Sequence, residues 1–338
     1  MLDILLAGVG VSAFLYISRW TFTRKWINVK DDPNLNSKSL KGKTVLITGG
    51  NTGLGGSVAL DLATRGADEV IIACRNVLKG NEVARSIIES TGNINVKCML
   101  LDLASLESVR QFVDNFLIDH TQLDCLICNA GVWVPMENGI KTADGYEIHF
   151  GVNHLGHFLL FKLLSDCLHK ETNSRVVVVS SGLMSSGVLH MDNIDIFQGR
   201  KPEPSDKGRK SFAPTGYCDS KLMNALFVKE LANRDEKITT VAVCPGWCNT
   251  DLARNVDIPF YKKLLMLPFM FIFMRSCNQG ANNIIFAAIQ DIDKLQNGSF
   301  YRDGKVQTRE NEKLELLKEE GVSRKLWTLS EQLCITNT

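Results

Sequence analysis

A doubly wound, mostly parallel α/β sheet is the fold class this sequence predicts, and three observations predict it. Short β-branched runs alternate with helical patterns from Thr44 onward, the order of strand–helix–strand units. The runs are apolar nearly throughout instead of at every second position, so both sheet faces should be covered. A glycine cluster, "TGGNTGLGG" from Thr48 to Gly56, falls between the first run and the first helical pattern, where a strand must turn sharply into a helix.

The predicted strands are "TVLIT" from Thr44, "EVIIAC" from Glu69, "VKCMLL" from Val96, "DCLIC" from Asp124, "RVVVVS" from Arg175 and "TTVAVC" from Thr239. Helical patterns lie near Gly55 to Arg65, Lys79 to Glu89, Leu106 to Leu117, Glu147 to Leu168 and Tyr217 to Ala232. No repeat and no second core interrupts them, so residues 43–338 read as one domain, residues 21–42 as a linker and residues 1–20 as a hydrophobic membrane anchor. From Ile4 to Ser18 there is no charge, and Arg19, Arg24 and Lys25 follow. The run is shorter than the roughly 20 residues of an ordinary spanning helix, and it has neither a basic leader nor a clear cleavage site. It reads as an uncleaved anchor whose basic flank keeps the rest of the chain in the cytosol.

Two stretches break the alternation. "QGRKPEPSDKGRK", Gln198 to Lys210, reads as a solvated loop. "IPFYKKLLMLPFMFIFMR", Ile258 to Arg275, has an apolar centre too short to span a bilayer. It reads either as a buried helix or as a lid over an apolar substrate that also dips into the membrane surface.

A formal net charge of +1 over 338 residues gives no global attraction for nucleic acid. The ten cysteines lack the spacing of a disulfide framework and read as reduced, buried thiols. The single Cys-x-x-Cys, Cys125 and Cys128, lies in a strand, where an offset of three sends the side chains to opposite faces. His149, His154 and His157 do not have the spacing of a zinc-binding helix, so no metal is expected.

The glycine turn carries Gly49, Asn51, Thr52, Gly53, Leu54 and Gly55; its glycines let backbone approach a pyrophosphate at the positive end of the following helix. "GKT" at Gly42 to Thr44 is no phosphate loop, because Ser37 stands where the first glycine belongs and the triplet precedes its strand. The second strand ends "ACRN", which puts Arg75 where a basic residue accommodates the extra phosphate of NADP(H) and an acidic one would select NAD. Asp68 and Glu69 fall at the wrong end of that strand, so NADP(H) is the expected cofactor.

In order along the chain come "TGGNTGLG", "DLAS" from Asp102, "CNAG" from Cys128, "HFGVNHLGHFLL" from His149, "VVVVSS" ending at Ser181, "YCDSK" from Tyr217 and "CPGW" from Cys244 with Thr250 beyond. Together these motifs, spread over nearly all of Lys43 to Leu333, resemble the short-chain dehydrogenases/reductases, most closely their membrane-anchored retinol dehydrogenase-like branch. The resemblance implies a Rossmann-type fold. It implies cofactor contacts at Asp102, Leu103, Asn129, Ala130, Gly131, Pro245, Gly246 and Thr250, and a catalytic set of Asn153, Ser181, Tyr217 and Lys221.

The chemistry explains those residue types. Hydride transfer to a carbonyl builds negative charge on oxygen, which needs a hydrogen-bond donor and a proton. Ser181 would polarise the carbonyl and Tyr217 supply the proton. Lowering a phenol from about 10 to near neutral takes about 4 kcal/mol. Lys221, one turn along the same helix, would supply the cation and, by resemblance, hold the nicotinamide ribose; Asn153 would anchor a water relay behind it. Ser180 is an alternative to Ser181, chosen against because the family uses the second serine. A second Tyr-x-x-x-Lys, "YRDGK" at Tyr301 to Lys305, reads as a surface strand and turn.

The expected activity is interconversion of a lipophilic alcohol and its aldehyde or ketone, retinol and retinal first, mainly as a reductase. Steroid, polyprenoid or fatty-aldehyde substrates are alternatives, as is a catalytically idle NADP(H)-binding membrane scaffold. The expected location is the endoplasmic reticulum membrane, contacted by anchor and flap, with homo-oligomerisation open. The sequon Asn297-Gly298-Ser299 would take a sugar only if that region reached the lumen.

Overall fold

A computed structural model describes residues 14–135, 139–189, 191, 213–250, 252 and 260–335. An eight-stranded sheet runs through them: β1 (Thr44–Thr48), β2 (Glu69–Cys74), β3 (Val96–Leu100), β4 (Cys125–Cys128), β5 (Arg175–Val179), β6 (Thr239–Val243), β7 (Phe300–Arg302) and β8 (Lys305–Val306). The spatial order is β3-β2-β1-β4-β5-β6-β7-β8. Strands β1 to β7 are parallel, and β8 returns antiparallel to β7. After β3 the chain crosses back over two strands to reach β4, so the sheet splits its connections between β1 and β4 and leaves a crevice at their carboxyl ends.

Helices α1 (Gly53–Thr64), α2 (Val77–Thr91), α3 (Leu106–Asp119), α4 (Gly156–His169), α5 (Thr215–Arg234), α6 (Phe260–Phe273), α7 (Cys277–Ile289), α8 (Thr308–Glu319) and α9 (Val322–Ile335) surround the sheet. Strand residues alternate between two cores. Leu46, Ile71, Leu126 and Val176 face Phe112, Phe116, Leu160 and Leu226 of α3, α4 and α5. Val45, Ile47, Val70 and Val177 face Val58 and Leu62 of α1 and Ile284 of α7. Both faces are therefore covered, as near-continuous hydrophobicity requires.

All six predicted strands are present with ends shifted by at most one residue. Cys125 packs in the second core and Cys128 in the first, the opposite faces expected from their spacing, and none of the ten cysteines is in a disulfide. The turn in "YRDGK" is real: Asp303 and Gly304 both take positive φ, 51° and 69°, between β7 and β8. Its reading as a surface feature is corrected, because Phe300 and Tyr301 are buried in the sheet. The carboxyl-terminal helices α7 to α9, absent from the sequence reading, complete both layers.

The anchor and the Gln198–Lys210 loop lie largely or wholly outside the described residues. Residues 14–23 are helical, and no helix among the described residues is long and apolar enough to cross a membrane. The stretch read as a linker is docked instead. Val29 and Leu35 are buried, the Val29 N–H donates to Asn282 Oδ1 at 3.1 Å, and Arg65 donates to the Leu35 carbonyl at 2.6 Å.

Candidate active site

One cleft of about 1180 Å³ opens along the carboxyl ends of the strands and is bordered by residues from every expected motif. At its centre is the glycine turn. Gly49 has φ +69° and lies so close to β4 that an added Cβ would sit 3.0 Å from Ala130 Cα. A Cβ on Gly55 would stand 2.5 Å from the Gly49 carbonyl oxygen and 2.6 Å from Asn129 Nδ2, so only glycine lets α1 start this close to the strand. Thr52, the N-cap of α1, makes no capping hydrogen bond with its side chain, and no acidic residue occupies the first turn.

Asn51, Thr52, Gly53 and Leu54 border the cleft on this side, with Arg75 and Asn76 beyond the end of β2. Arg75 is exposed and so free to meet a ligand from solvent. Asn76 caps α2 by accepting the Lys79 N–H at 3.0 Å, and this brings Lys79 to the same rim. Sequence reasoning missed Lys79, whose signal is its place in the first turn of the helix after Arg75. Asp102 and Leu103 close this end; Asp102 accepts the Ala104 N–H at 3.0 Å, which fixes the loop after β3.

Beneath Asn129, Ala130 and Gly131 lies a clamp the sequence did not reveal. Thr48 Oγ1 accepts the N–H groups of Asn129 and Ala130 at 2.9 and 3.0 Å, and Asn129 Nδ2 donates to the Thr48 carbonyl at 2.9 Å. His157 stands 2.8 Å from Thr48 Oγ1 and 3.2 Å from the Asn153 carbonyl. Burial lowers its pKa to about 4, so the ring is neutral. Its Nδ1–H then donates to Asn153 and its Nε2 accepts from the Thr48 hydroxyl.

Asn153 sits in a π-helical turn, Phe150–Leu155, ahead of α4. Its Oδ1 accepts the Val132 N–H at 2.7 Å, and its Nδ2 donates to the Val132 carbonyl at 3.1 Å and to Ser220 Oγ at 3.0 Å. The side chain thus clasps the strand end beside Gly131 and Lys221. A wider turn of helix is one way to turn a side chain sideways into such a role.

Ser181, Tyr217 and Lys221 do converge. Ser180 is buried and its hydroxyl donates to the Lys221 carbonyl at 2.7 Å. Ser181 caps the following 3-10 turn, accepting the Leu183 N–H at 3.2 Å, and is hydrogen-bonded to the Tyr217 hydroxyl. Trp133 stacks on the Tyr217 ring, centroids 4.9 Å apart. Lys221 Nζ lies 5.6 Å from the Tyr217 ring centre and donates to the Val179 carbonyl at 2.9 Å.

The electrostatics differ from expectation. Burial pushes the Tyr217 phenol above its ordinary value, and the Ser181 hydrogen bond offsets only part of that. Burial also lowers Lys221 to about 8. Desolvation is the largest effect on Tyr217, and the Lys221 ammonium donates instead to the Val179 carbonyl.

Beyond β6, Gly246 has φ +84° and Thr250 reaches over the glycine turn, its Cγ2 3.7 Å from where a Gly53 Cβ would be. Pro245, Gly246 and Thr250 all border the cleft. A network the sequence did not announce holds this loop. Arg275 donates to both carboxylate oxygens of Asp303 at 2.7 and 2.8 Å, stacks on Trp26 at 4.6 Å, and its N–H donates to the Trp247 carbonyl at 2.8 Å.

The far rim is apolar. Met266, Phe269 and Phe273 of α6 border the cleft. Tyr16 and Phe22, from residues 14–23, pack edge-on against Phe271 and Phe273. Much of the helix is exposed, with Leu264 at 56% and Leu265 at 78%, so α6 is not a buried structural helix.

Residues 43–193 match the family described as short chain dehydrogenase. Retinol dehydrogenase 11 of Homo sapiens is 38% identical over 294 residues, covering 86% of this chain and 85% of that protein. Retinol dehydrogenase 14 of Homo sapiens is 36% identical over 345 residues, covering 96% and 95%. Among solved structures, salutaridine reductase from Papaver somniferum superposes with a TM-score of 0.60 at 21% identity, covering 77% of this chain and 99% of that one. An alcohol dehydrogenase from Thermococcus sibiricus complexed with 5-hydroxy-NADP gives 0.57 at 18% identity, covering 78% and 98%. By its motifs in order, its sheet and its relatives over most of its length, the chain belongs to the short-chain dehydrogenase family.

Proposed function

We propose that this protein is an NADP(H)-dependent oxidoreductase that interconverts a lipophilic alcohol and its aldehyde or ketone, retinol and retinal being the leading pair. The observation that carries the reading is the meeting of Ser181, Tyr217 and Lys221 in the same cleft as the glycine turn.

The residues present fit a dinucleotide. Gly49 and Gly55 let the turn pack against Ala130 and Asn129 where a Cβ would clash, and Thr52 makes no side-chain cap to the first N–H groups of α1, which suits a pyrophosphate. Arg75 and Lys79 border the same cleft and suit the additional phosphate of NADP(H). The relative complexed with 5-hydroxy-NADP supports the same cofactor class. When bound, such a cofactor supplies or accepts the hydride.

The chain's own groups do the rest. Ser181 donates to the substrate oxygen, Tyr217 gives it a proton in the reductive direction, and Lys221 supplies positive charge below about pH 8. Held above its ordinary value by burial, the Tyr217 phenol is protonated at neutral pH, the form that gives a proton to a carbonyl oxygen. Trp133 and the α6 aromatics exclude water and suit an apolar body.

The retinol dehydrogenase relatives support a lipophilic alcohol. The exposed apolar side of α6, joined by residues 14–23, supports contact with a membrane surface from which such a substrate is drawn. The endoplasmic reticulum, with the catalytic domain facing cytosol, is the membrane we propose.

The test is NADPH oxidation by the purified full-length chain in lipid vesicles with retinal. Retinal-dependent oxidation supports the proposal. Tight NADPH binding without turnover of retinal, steroid or aliphatic aldehydes would leave the scaffold reading in its place.

A further inference from the structure

We propose that Arg302 forms a carboxylate-binding subsite on the substrate side of the cleft, so that, beside the neutral carbonyls of the proposed function, the cleft takes lipophilic oxo acids whose carboxylate lies close to the reacting carbonyl, in preference to the matching ketone without the carboxylate. The inference rests on the reading of Ser181 and Tyr217 as the reacting end and names the substrate class that end would serve.

Arg302 ends β7, the strand next to β6, and it borders the cleft together with Ser181, Gly182 and Leu183. Its guanidinium occupies the space above Gly182: a Cβ there would strike Nη2 and come within 3.4 Å of Cζ. Gly182 follows Ser181 directly, and successive Cα atoms are about 3.8 Å apart. The guanidinium therefore lies against the backbone that directly follows Ser181.

This guanidinium is poorly matched within the chain. Its Nε is buried without a hydrogen-bond partner. Its side-chain partner is the Cys244 thiol, and among the described residues it makes no ion pair. The neighbouring carboxylate, Asp303, gives both oxygens to Arg275. Glu310, which also borders the cleft, and Asp303 favour the Arg302 charge through space, but neither forms an ion pair with it among the described residues.

A guanidinium with no carboxylate hydrogen-bonded to it can accept one from a ligand, and its planar fork matches a carboxylate with two parallel hydrogen bonds. The remaining walls, Leu183, Trp247, Met266 and Phe269, are apolar. One cation set into an apolar wall beside the hydroxyl pair describes a ligand with a greasy body and a single anionic group near its carbonyl. The carboxylate itself undergoes no change; it orients the carbonyl.

The test uses γ-oxodecanoate and the decanone carrying its carbonyl at the same place, each titrated by tryptophan fluorescence, since Trp133 and Trp247 border the cleft, and each assayed for turnover with NADPH. Wild type is expected to prefer the oxo acid in both readouts. Arg302→Gln should lower the acid-to-ketone ratio by about tenfold or more, and Arg302→Lys should restore part of it. Thermal unfolding of each variant separates folding loss from recognition. Equal effects on the two ligands, no preference in wild type, or binding of neither would overturn the subsite. If the acid binds through Arg302 but neither compound is reduced, the subsite stands and the oxidoreductase reading falls.

Discussion

The cleft is built in two ways on its two sides. From β1 to β4 its polar side chains are spent on backbone: Thr48 holds Asn129 and Ala130, Asp102 holds Ala104, and Asn76 holds Lys79. Glycines bring main chain to main chain, as at Gly49 against Ala130. Beyond β5 the rim is made of side chains, with the α6 aromatics, Trp247 and Arg302 facing the opening and one ion pair, Arg275 to Asp303, holding the loop. A backbone cradle suits a ligand that never changes, and a side-chain rim suits one that differs from enzyme to enzyme.

The sharpest way to break this comparison is at the point where the halves meet. Tyr217→Phe should lower kcat by about a thousandfold, with dinucleotide affinity retained because the cradle is untouched. Stopped-flow turnover alongside NADPH fluorescence checks both; retained turnover would remove Tyr217 from the chemistry.

Next in size is the loop's ionic support. Arg275→Met leaves Asp303 without its partner and should cost about 3 kcal/mol in urea unfolding, since Arg275 is almost fully buried. Burial raises the Asp303 carboxyl, but the Arg275 guanidinium outweighs it and holds the group below its ordinary value. The pair's stabilisation is therefore complete above the unfolded carboxylate pKa and is lost as pH falls through the folded one. In Arg275→Met this acid-limb loss should shrink; an unchanged pH profile would mean that Asp303 is held by other partners.

At the adenosine end, Arg75→Ser should shift the ratio of NADPH to NADH efficiency by about thirtyfold toward NADH. A smaller shift that grows when Lys79→Ser is added would divide the role between the two. The smallest effect belongs to the apolar rim. Polar substitution of Phe269 and Phe271 should lower the activity ratio between retinal and a short soluble aldehyde by about fivefold, and an unchanged ratio would take α6 out of substrate selection.

The same division explains what could be read in advance. The cradle was legible because a tight strand-to-helix turn admits few residue types, and glycines at Gly49, Gly53 and Gly55 announce it locally. Six strands were legible because burial on both faces imposes continuous hydrophobicity over five or so residues. The β7–β8 hairpin was half legible: Asp303-Gly304 signals the turn, but burial of Tyr301 depends on β6 and α7, distant in sequence. Arg275 and Asp303 are 28 residues apart, and no local pattern pairs them. Ser181 and Tyr217 were found through ordered motifs, whereas the raised Tyr217 phenol follows from burial that spacing does not report. Residues 21–42, polar in composition, pack through Val29 and Leu35 because a few apolar positions suffice to dock a short segment.

The proposed function sets a side-chain rim for lipids on a backbone cradle for NADP(H). Parallel kcat/KM measurements on the full-length chain in vesicles, with retinal and with a short soluble aldehyde, each using NADPH and NADH, separate the two halves. Retinal with NADPH should be the fastest pairing. Equal rates across the four pairings, or activity only with NADH and the soluble aldehyde, would contradict it.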